Sequence, residues 1–383
     1  MPGVPGLPEG GRRLHRHGGL LSLRVGIVTT GHDVADARLH RTVAALRRAG
    51  CEVHVRGLSA TGGGAQPAGK LRRGLRALLW PWQARCDVLL TIDPDTALSA
   101  WLSSTVLRRR WVADVHEDYR ELLRDRAWVP GPLLAVLRGA VSVLNSIITR
   151  ADLVLVADDH VPPRHARRRF VMRNVPDVTL LPPMPAGSTS VAAVGSARAP
   201  RAVYIGDNRT TRGLRDMVEA VAATVDDPMA WRLDLVGPVA TSDRDWLDER
   251  LARPDARLVT WHDRQPPTEA WRIAAGADVG LCLLADTPAF RDAMPSKVYE
   301  YLAMGMPTVA TPLPRVRELI EGTGAGVIVD GVPAVVEALR AYARDAAHRQ
   351  ALIANARAAG EELRERPSPY DEAAGLIAGL AAY

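Results

Sequence analysis

The distribution of apolar positions divides the chain into two successive α/β patterns. Leu23 to Thr30 (LRVGIVTT) is a short, almost wholly apolar run, as expected of a parallel strand buried on both faces. A loop, GHDVADA, leads into a helix predicted from Arg38 to Ala49. Its apolar residues Leu39, Val43 and Leu46 fall at i, i+4 and i+7, its arginines lie off that stripe, and Gly50 stops it. CEVHVRGL then alternates as a second strand, which completes a strand–helix–strand unit of the doubly wound class. The run continues with strands at Cys86 to Asp93, WVADV, Ala151 to Ala157 and Phe170 to Val175. An amphipathic helix over Lys70 to Arg85 precedes the first of these, and a helix over Ala97 to Leu107 follows it. RHARRR at 164–169 reads as a solvated basic loop, and Gly62, Gly63 and Gly64 as a flexible one.

A second pattern of the same kind begins at RAVYIG. A polar loop, DNRTTRG, precedes a helix from Leu214 to Ala223 whose face is Leu214, Met217, Val218 and Val221. WRLDLVG, RLVTWH and DVGLCLL are further buried strands. PSKVYEYLAMGMPTVAT, Pro295 to Thr311, follows: a short helix over 296–304 with Val298, Tyr301 and Leu302 on one face, then a strand. Pro295 suits the first helical turn, Gly305 the stop, and Pro307 prevents continuation. A helix around Arg315 to Glu321, the strand AGVIV and C-terminal helices complete the chain. The expected organisation is therefore a disordered tail (or residues upstream of the true start) at 1–22, a Rossmann-like domain at 23–180 and a Pro/Gly/Ser/Ala-rich linker at 181–200. A second Rossmann-like domain follows at 201–365, then a C-terminal helix at 366–383 that can pack back on the first domain.

Length agrees with that division, since 383 residues exceed one ordinary core. The three cysteines, Cys51, Cys86 and Cys282, are too few and too widely spaced for a disulfide framework or a metal knuckle, and make a reducing cytosol the default. The nearest candidate for a transmembrane helix, Trp128 to Thr149, is broken by Pro130, Gly131, Pro132 and Arg138, so none is expected. The net charge of +6 favours anionic partners: nucleotide phosphates, nucleic acid or an acidic membrane surface. Lys70 to Arg85 holds five cations and no acid, with Leu71, Leu75, Leu78, Leu79 and Trp82 along one stripe. Such a helix can lie in a membrane interface, or serve as an ordinary domain helix with a solvated basic face.

Candidate chemistry gathers at strand ends. Lys297 and Glu300 share one helical face near a helix N-terminus, so an ammonium, free N–H groups and a carboxylate converge there. That combination suits a ligand with phosphate and sugar hydroxyls; a surface Lys–Glu pair would read the same way from this segment alone. Gly206, Arg212 and Gly213 lie around a strand-to-helix turn, where an arginine can clamp phosphate. WVADVHED places Asp114, His116, Glu117 and Asp118 at a strand end, and acids around a histidine can set its tautomer. No HExxH follows and no cysteine is near, so no metal site is expected. The first strand lacks a GxGxxG, which counts against a dinucleotide site.

In order along the chain, RVGIVTT…ARLHRTVAALRRAGCEV, DVHED, RNVPD, VYIGDNRTTRGLRDMVEA and PSKVYEYLAMGMPTVAT resemble the GT-B retaining glycosyltransferases of glycosyltransferase family 4 (group 1). The resemblance runs from about Leu23 to Asp330. It implies an α/β fold of two Rossmann-like, doubly wound parallel-sheet domains facing a cleft, the second binding a nucleotide-activated sugar and the first the acceptor. On it, Glu300 holds the ribose, Asp292 (commonly a glutamate) approaches the donor sugar, and His116 faces that sugar. Arg212 takes the usual lysine position, and Asp207 stands where an arginine is usual, so Lys297 or Arg209 would replace that charge, Lys297 being favoured. Gly206, Arg209, Arg212, Pro295, Ser296, Lys297 and Glu300 are thus the expected donor-binding set. His116, Lys297, Arg212 and Asp292 are the expected catalytic set, with no metal. The implied co-substrate is a UDP-, GDP- or ADP-sugar. The implied acceptor is a glycan, glycolipid or small molecule of cell-envelope, polysaccharide or natural-product glycosylation, reached from the cytoplasm or the inner membrane face. The alternatives are a nucleotide-sugar 2-epimerase of the same fold, an inactive sugar-binding protein, and a basic nucleic-acid-binding protein. With 5% aromatic residues and scattered arginines, nucleic acid is not the expected partner.

Overall fold

A computed structural model describes residues 22–31, 36–57, 67–123, 131–184, 198–288 and 290–380. The chain forms two compact units, one of residues 1–174 with 367–383, the other of 175–366. The expectations for Gly62, Gly63 and Gly64, for the tail up to Leu21 and for 185–197 of the linker lie outside the described residues.

The first unit holds strands β1 (Arg24–Val28), β2 (Glu52–Arg56), β3 (Val88–Thr91), β4 (Arg110–Val115), β5 (Leu153–Val156) and β6 (Arg169–Val171). They pair in the order β2-β1-β3-β4-β5-β6, every pairing parallel. Its helices are α1 (Ala37–Arg48), α2 (Pro67–Gln83), α3 (Ala97–Val106), α4 (Tyr119–Leu122) and α5 (Gly131–Ile148). The chain order reverses between β1 and β3, which makes the loops after those strands the place where an open sheet of this class admits ligands. The apolar runs are buried as their composition requires: Val25, Ile27, Val88, Leu90 and Val112 form one core beneath α1.

The second unit holds β7 (Arg201–Ile205), β8 (Arg232–Val236), β9 (Val259–Trp261), β10 (Val279–Cys282), β11 (Thr308–Ala310) and β12 (Gly326–Ile328). The order is β12-β11-β10-β7-β8-β9, again all parallel, with the reversal between β7 and β10. Around them lie α6 (Leu214–Ala222), α7 (Thr241–Leu251), α8 (Pro267–Ala274), α9 (Ser296–Ala303), α10 (Pro314–Thr323), α11 (Gly331–Arg344) and α12 (Ala346–Glu365). The last helix, α13 (Pro369–Gly379), belongs to the first unit, where Tyr370, Ala373, Ala374 and Ile377 enter the core under α1. Within the second unit, the start of the predicted linker is held down: Arg364 donates to the carbonyl of Pro182 at 2.7 Å.

Three local features go beyond the periodicity. The arginines of α1 lie off its apolar stripe, yet Arg38 and Arg41 are buried, because Asp114, Asn174 and Tyr370 supply partners. The apolar stripe of α2 does not face the core. Ala77 and Pro81 turn inward, whereas Leu75, Leu78, Leu79 and Trp82 are exposed. Strand β6 ends at Val171 instead of running to Val175.

Candidate functional site

The loops at the second unit's chain reversal bring most of the predicted donor residues together. β7 is followed by Gly206, whose φ of +143° is open mainly to glycine. A Cβ there would lie 3.2 Å from Lys297 Nζ and 3.3 Å from the Tyr204 hydroxyl. The chain continues through Asp207 and Asn208 into a 3-10 turn at Thr210–Arg212, and Gly213, φ +83°, starts α6. A Cβ on Gly213 would meet the Leu283 carbonyl at 2.3 Å, so a side chain would drive the loop after β10 away from this turn. Asn208 is fully buried and donates to the carbonyls of Gly206 and Gly237 at 3.3 and 3.1 Å, which ties the turns after β7 and β8 together.

α9 closes the site from the other side of the reversal. Pro295 is its N-cap residue, and no side chain caps its first turn. Tyr301, fully buried, packs its ring where a Gly280 side chain would stand, and its hydroxyl accepts the Ile205 N–H at 3.2 Å. The helix is thereby locked to β7 and β10, and Gly305, φ +69°, ends it. Lys297 and Glu300 are 7% and 5% exposed, so neither belongs to a solvated surface pair. The Lys297 ammonium sits 4.1 Å from the centroid of the Tyr204 ring, a cation–π contact.

The balance of charge here is uneven. No carboxylate among the described residues pairs with Lys297 or Arg212. The Arg212 guanidinium lies 5.5 Å from the Phe290 ring centroid, and its buried Nε has no hydrogen-bond partner. Cys282, buried behind both cations, is no counter-ion: burial pushes its thiol up to about 11, although Lys297 and Arg212 pull the other way. Arg209 differs, because it ion-pairs with Asp207 in the same loop. Burial and the neighbouring Arg212 hold its pKa below the usual guanidinium range. The turn and the first turn of α9 therefore present two cations with no carboxylate partner among the described residues, next to a glycine that lets a ligand approach the backbone, in a region that favours anions. Asp292 is exposed, and its backbone carbonyl accepts from Arg315 at 3.3 Å. Tyr204 and Phe290, the aromatic faces under the cations, carry no signal in the sequence, where each reads as an ordinary apolar residue.

His116 belongs to the first unit, just beyond the carboxyl end of β4. Its Nε2 contacts Asp114 Oδ2 at 3.0 Å, and Asp114 is held bidentately by Arg38, at 2.7 Å from Nη2 and 3.1 Å from Nε. Arg38 also donates to the Met172 carbonyl at 2.8 Å. Burial alone would raise the Asp114 carboxyl, but Arg38 and His116 outweigh it and hold it well below the usual carboxylate range. At the reversal between β1 and β3, Asp93 accepts from the Thr29 hydroxyl and the Thr30 N–H, both at 2.7 Å. Asp95 accepts from the Thr30 hydroxyl at 3.0 Å and from Arg73 at 2.9 Å. Among the described residues no group of three His, Cys, Asp or Glu side chains could hold a metal ion.

Residues 199–345, which contain every residue of the Gly206–Lys297 site, match the family model for glycosyl transferases group 1. The second unit carries a group 1 glycosyltransferase domain. Solved structures extend the likeness to the whole fold. A sucrose-phosphate synthase from Thermosynechococcus elongatus aligns with a TM-score of 0.67 at 16% identity, over 94% of this chain and 99% of that one. HepE from Anabaena, solved in complex with UDP and glucose, aligns with a TM-score of 0.60 at 14% identity, over 94% and 98% of the two chains. WaaG, a glycosyltransferase involved in lipopolysaccharide biosynthesis, gives 0.58 at 14% identity, over 93% and 100%. No curated protein sequence matches the chain. The architecture is GT-B: two six-stranded parallel sheets, each flanked by helices.

Proposed function

We propose that this glycosyltransferase moves a sugar from a nucleotide-sugar donor to an acceptor hydroxyl with retention of anomeric configuration. The observation that carries the donor assignment is the pair of uncompensated cations, Lys297 and Arg212, beside Gly206. A diphosphate is the ligand that both would neutralise. Departure of the nucleoside diphosphate leaves an oxocarbenium-like sugar, so the main task is to stabilise negative charge on the leaving phosphate. Lys297, Arg212 and the uncapped N-terminus of α9, with Pro295 and Ser296 at its first turn, supply that. The acceptor oxygen bonds to the anomeric carbon on the face from which the phosphate leaves, which retains configuration, and a leaving phosphate oxygen can take the acceptor's proton without a dedicated base. The sequence resemblance is what assigns ribose hydroxyls to Glu300 and the donor sugar to His116, which Asp114 braces within its own unit. That HepE was solved with UDP and glucose supports a UDP-sugar as the first donor to try.

Thermal shift with UDP-, GDP- and ADP-sugars reads the donor directly, because a ligand raises stability by RT ln(1 + [L]/Kd). One nucleotide is expected to stabilise the protein, and NMR of the product is expected to show the donor's anomeric configuration kept. An inverted product would rule out the retaining mechanism. Glu300→Ala is expected to weaken donor binding about tenfold to a hundredfold, the usual cost of removing one charge-assisted hydrogen bond. A Kd unchanged by titration calorimetry would remove Glu300 from the site.

The exposed stripe of α2 supports a peripheral membrane location for the acceptor-side unit. Leu75, Leu78, Leu79 and Trp82 project outward, Leu78 being 55% exposed, with Arg72 and Arg76 on the same helix. Leu98, Leu102 and Val106 of neighbouring α3 are exposed as well. No described helix is long and apolar enough to cross a membrane, so the contact would be interfacial. Flotation with anionic liposomes is expected for the native chain and should be lost in Leu78→Ser/Leu79→Ser. Equal flotation of the two would end the membrane reading.

A further inference from the structure

A second basic cavity lies in the first unit, at the amino edge of its sheet. One face of α3 brings Trp101, Ser104 and Thr105 into line at i, i+3 and i+4, and Arg108 follows one turn on. Arg110 opens β4 beside them, and Arg150 precedes β5. Together with Arg109, Trp111 and Asp152 they surround a cavity of about 360 Å³. His116 lies beyond the other end of β4, a six-residue strand, so the cavity is roughly 20 Å from the carboxyl edge.

The charges in this cavity do not cancel. Asp152 is the one carboxylate among the described residues that line it, and it is engaged by Arg110 at 3.0 Å and by the Trp111 N–H at 2.9 Å. Arg109 turns inward, donating to the carbonyls of Pro81 and Ala84 and to the Ser103 hydroxyl at 2.9 Å. Arg108 and Arg150 have no carboxylate partner among the described residues. Arg150 lies over the Trp101 ring with its guanidinium carbon 4.8 Å from the centroid, which holds the planar fork in place. Ser104 is 6% exposed, and its hydroxyl has no hydrogen-bond partner. A buried hydroxyl without a partner is costly unless something else accepts from it. Arg108 adds a third sign. Its φ of +49° lies in the left-handed region, at the helix-ending position where glycine is usual, yet an arginine stands there.

We propose that this cavity is a phosphate-recognition site, separate from the donor site. Arg108 and Arg150 would bind the anion, and Ser104 would donate to one of its oxygens. Phosphate fits better than carboxylate because it offers more acceptor oxygens to two forks and a hydroxyl, and the cavity has room for a substituent on the phosphate. The phosphate could belong to a soluble phosphoester or to a lipid headgroup, and the two sources are separable by experiment.

The test uses the full-length chain carrying Lys297→Ala, so that donor-site binding does not contribute. Binding of inorganic phosphate is measured by calorimetry, and binding to vesicles of phosphatidylglycerol in phosphatidylcholine by sedimentation. Arg108→Gly/Arg150→Gln is compared with Arg164→Gln/Arg167→Gln, which removes the same charge from an exposed loop of the same unit. Arg108→Gly is expected to fold, since glycine suits that backbone better than arginine. Phosphate binding reduced about tenfold or more in the first pair alone supports a soluble phosphoester. No phosphate binding, with vesicle binding reduced to that extent in the first pair alone, supports a lipid headgroup. Binding affected equally by both pairs, or by neither, or absent in both arms, overturns the proposal.

Discussion

Lys297→Met is expected to lower kcat/KM by roughly a hundred- to a thousandfold, the cost typical of removing one preorganised group aimed at a developing charge. The same substitution should leave the unliganded protein at least as stable as before. Both expectations come from one feature: an ammonium 7% exposed, without a carboxylate partner among the described residues, and set against the Tyr204 ring. Burying a cation without a counter-ion is unfavourable, and the aromatic ring offsets only part of that cost. Methionine fills a similar volume without a charge. On the proposed function, that penalty is relieved when a diphosphate binds, and the site is preorganised for an anion at the expense of the empty state. Thermal melts with and without the nucleoside diphosphate are the check. The variant should melt no lower than native when empty and gain little from the nucleotide. A variant that melts lower and gains as much as the native protein would show Lys297 to be structural.

How much is legible before the fold depends on where each residue's partners lie in the chain. The strands are legible because each is a continuous apolar run, and sheet burial needs nothing else. α9 is legible because its helical stripe, Pro295 and Gly305 are all local. Partners far away in sequence are not legible. Arg38 and Arg41 are legible only as residues off the apolar stripe of α1, because their acceptors, Asp114, Asn174 and Tyr370, lie between 76 and 329 positions away. Tyr204 reads as a strand residue because nothing in RAVYIG shows that a lysine from α9 will lie over its ring. Periodicity is silent about direction as well. The spacing on α2 reveals a stripe, but does not say whether core or surroundings will cover it. Ser104 and Arg108 carry no motif, and only the chain's return through Arg110 and Arg150 gives them a common cavity.

The second large effect is expected at Asp114. Its carboxylate accepts bidentately from Arg38 and contacts His116, with both it and Arg38 almost wholly buried. Asp114→Ala should destabilise the first unit by about 3–5 kcal/mol at neutral pH, because it strands a buried guanidinium. Arg38→Met/Asp114→Leu, which removes both charges, should recover much of that loss. The pH dependence has a definite sign. Arg38 and His116 depress the folded-state pKa of Asp114 below its unfolded value of about 3.9. Its contribution is therefore fully present above that value and is lost as pH falls below about 4 toward the folded pKa. Denaturant melts should show native and Asp114→Asn proteins furthest apart near neutrality and converging in acid. A gap that stays constant down to about pH 3 would mean that the carboxylate's charge is not what stabilises the fold. Turnover separates the structural role from the catalytic one. Should Asp114 act only as a brace, the doubly apolar variant regains activity along with stability. Should it also orient His116 toward the donor sugar, that variant regains stability while kcat remains low, and KM for the donor changes little because Lys297, Arg212 and Glu300 are untouched.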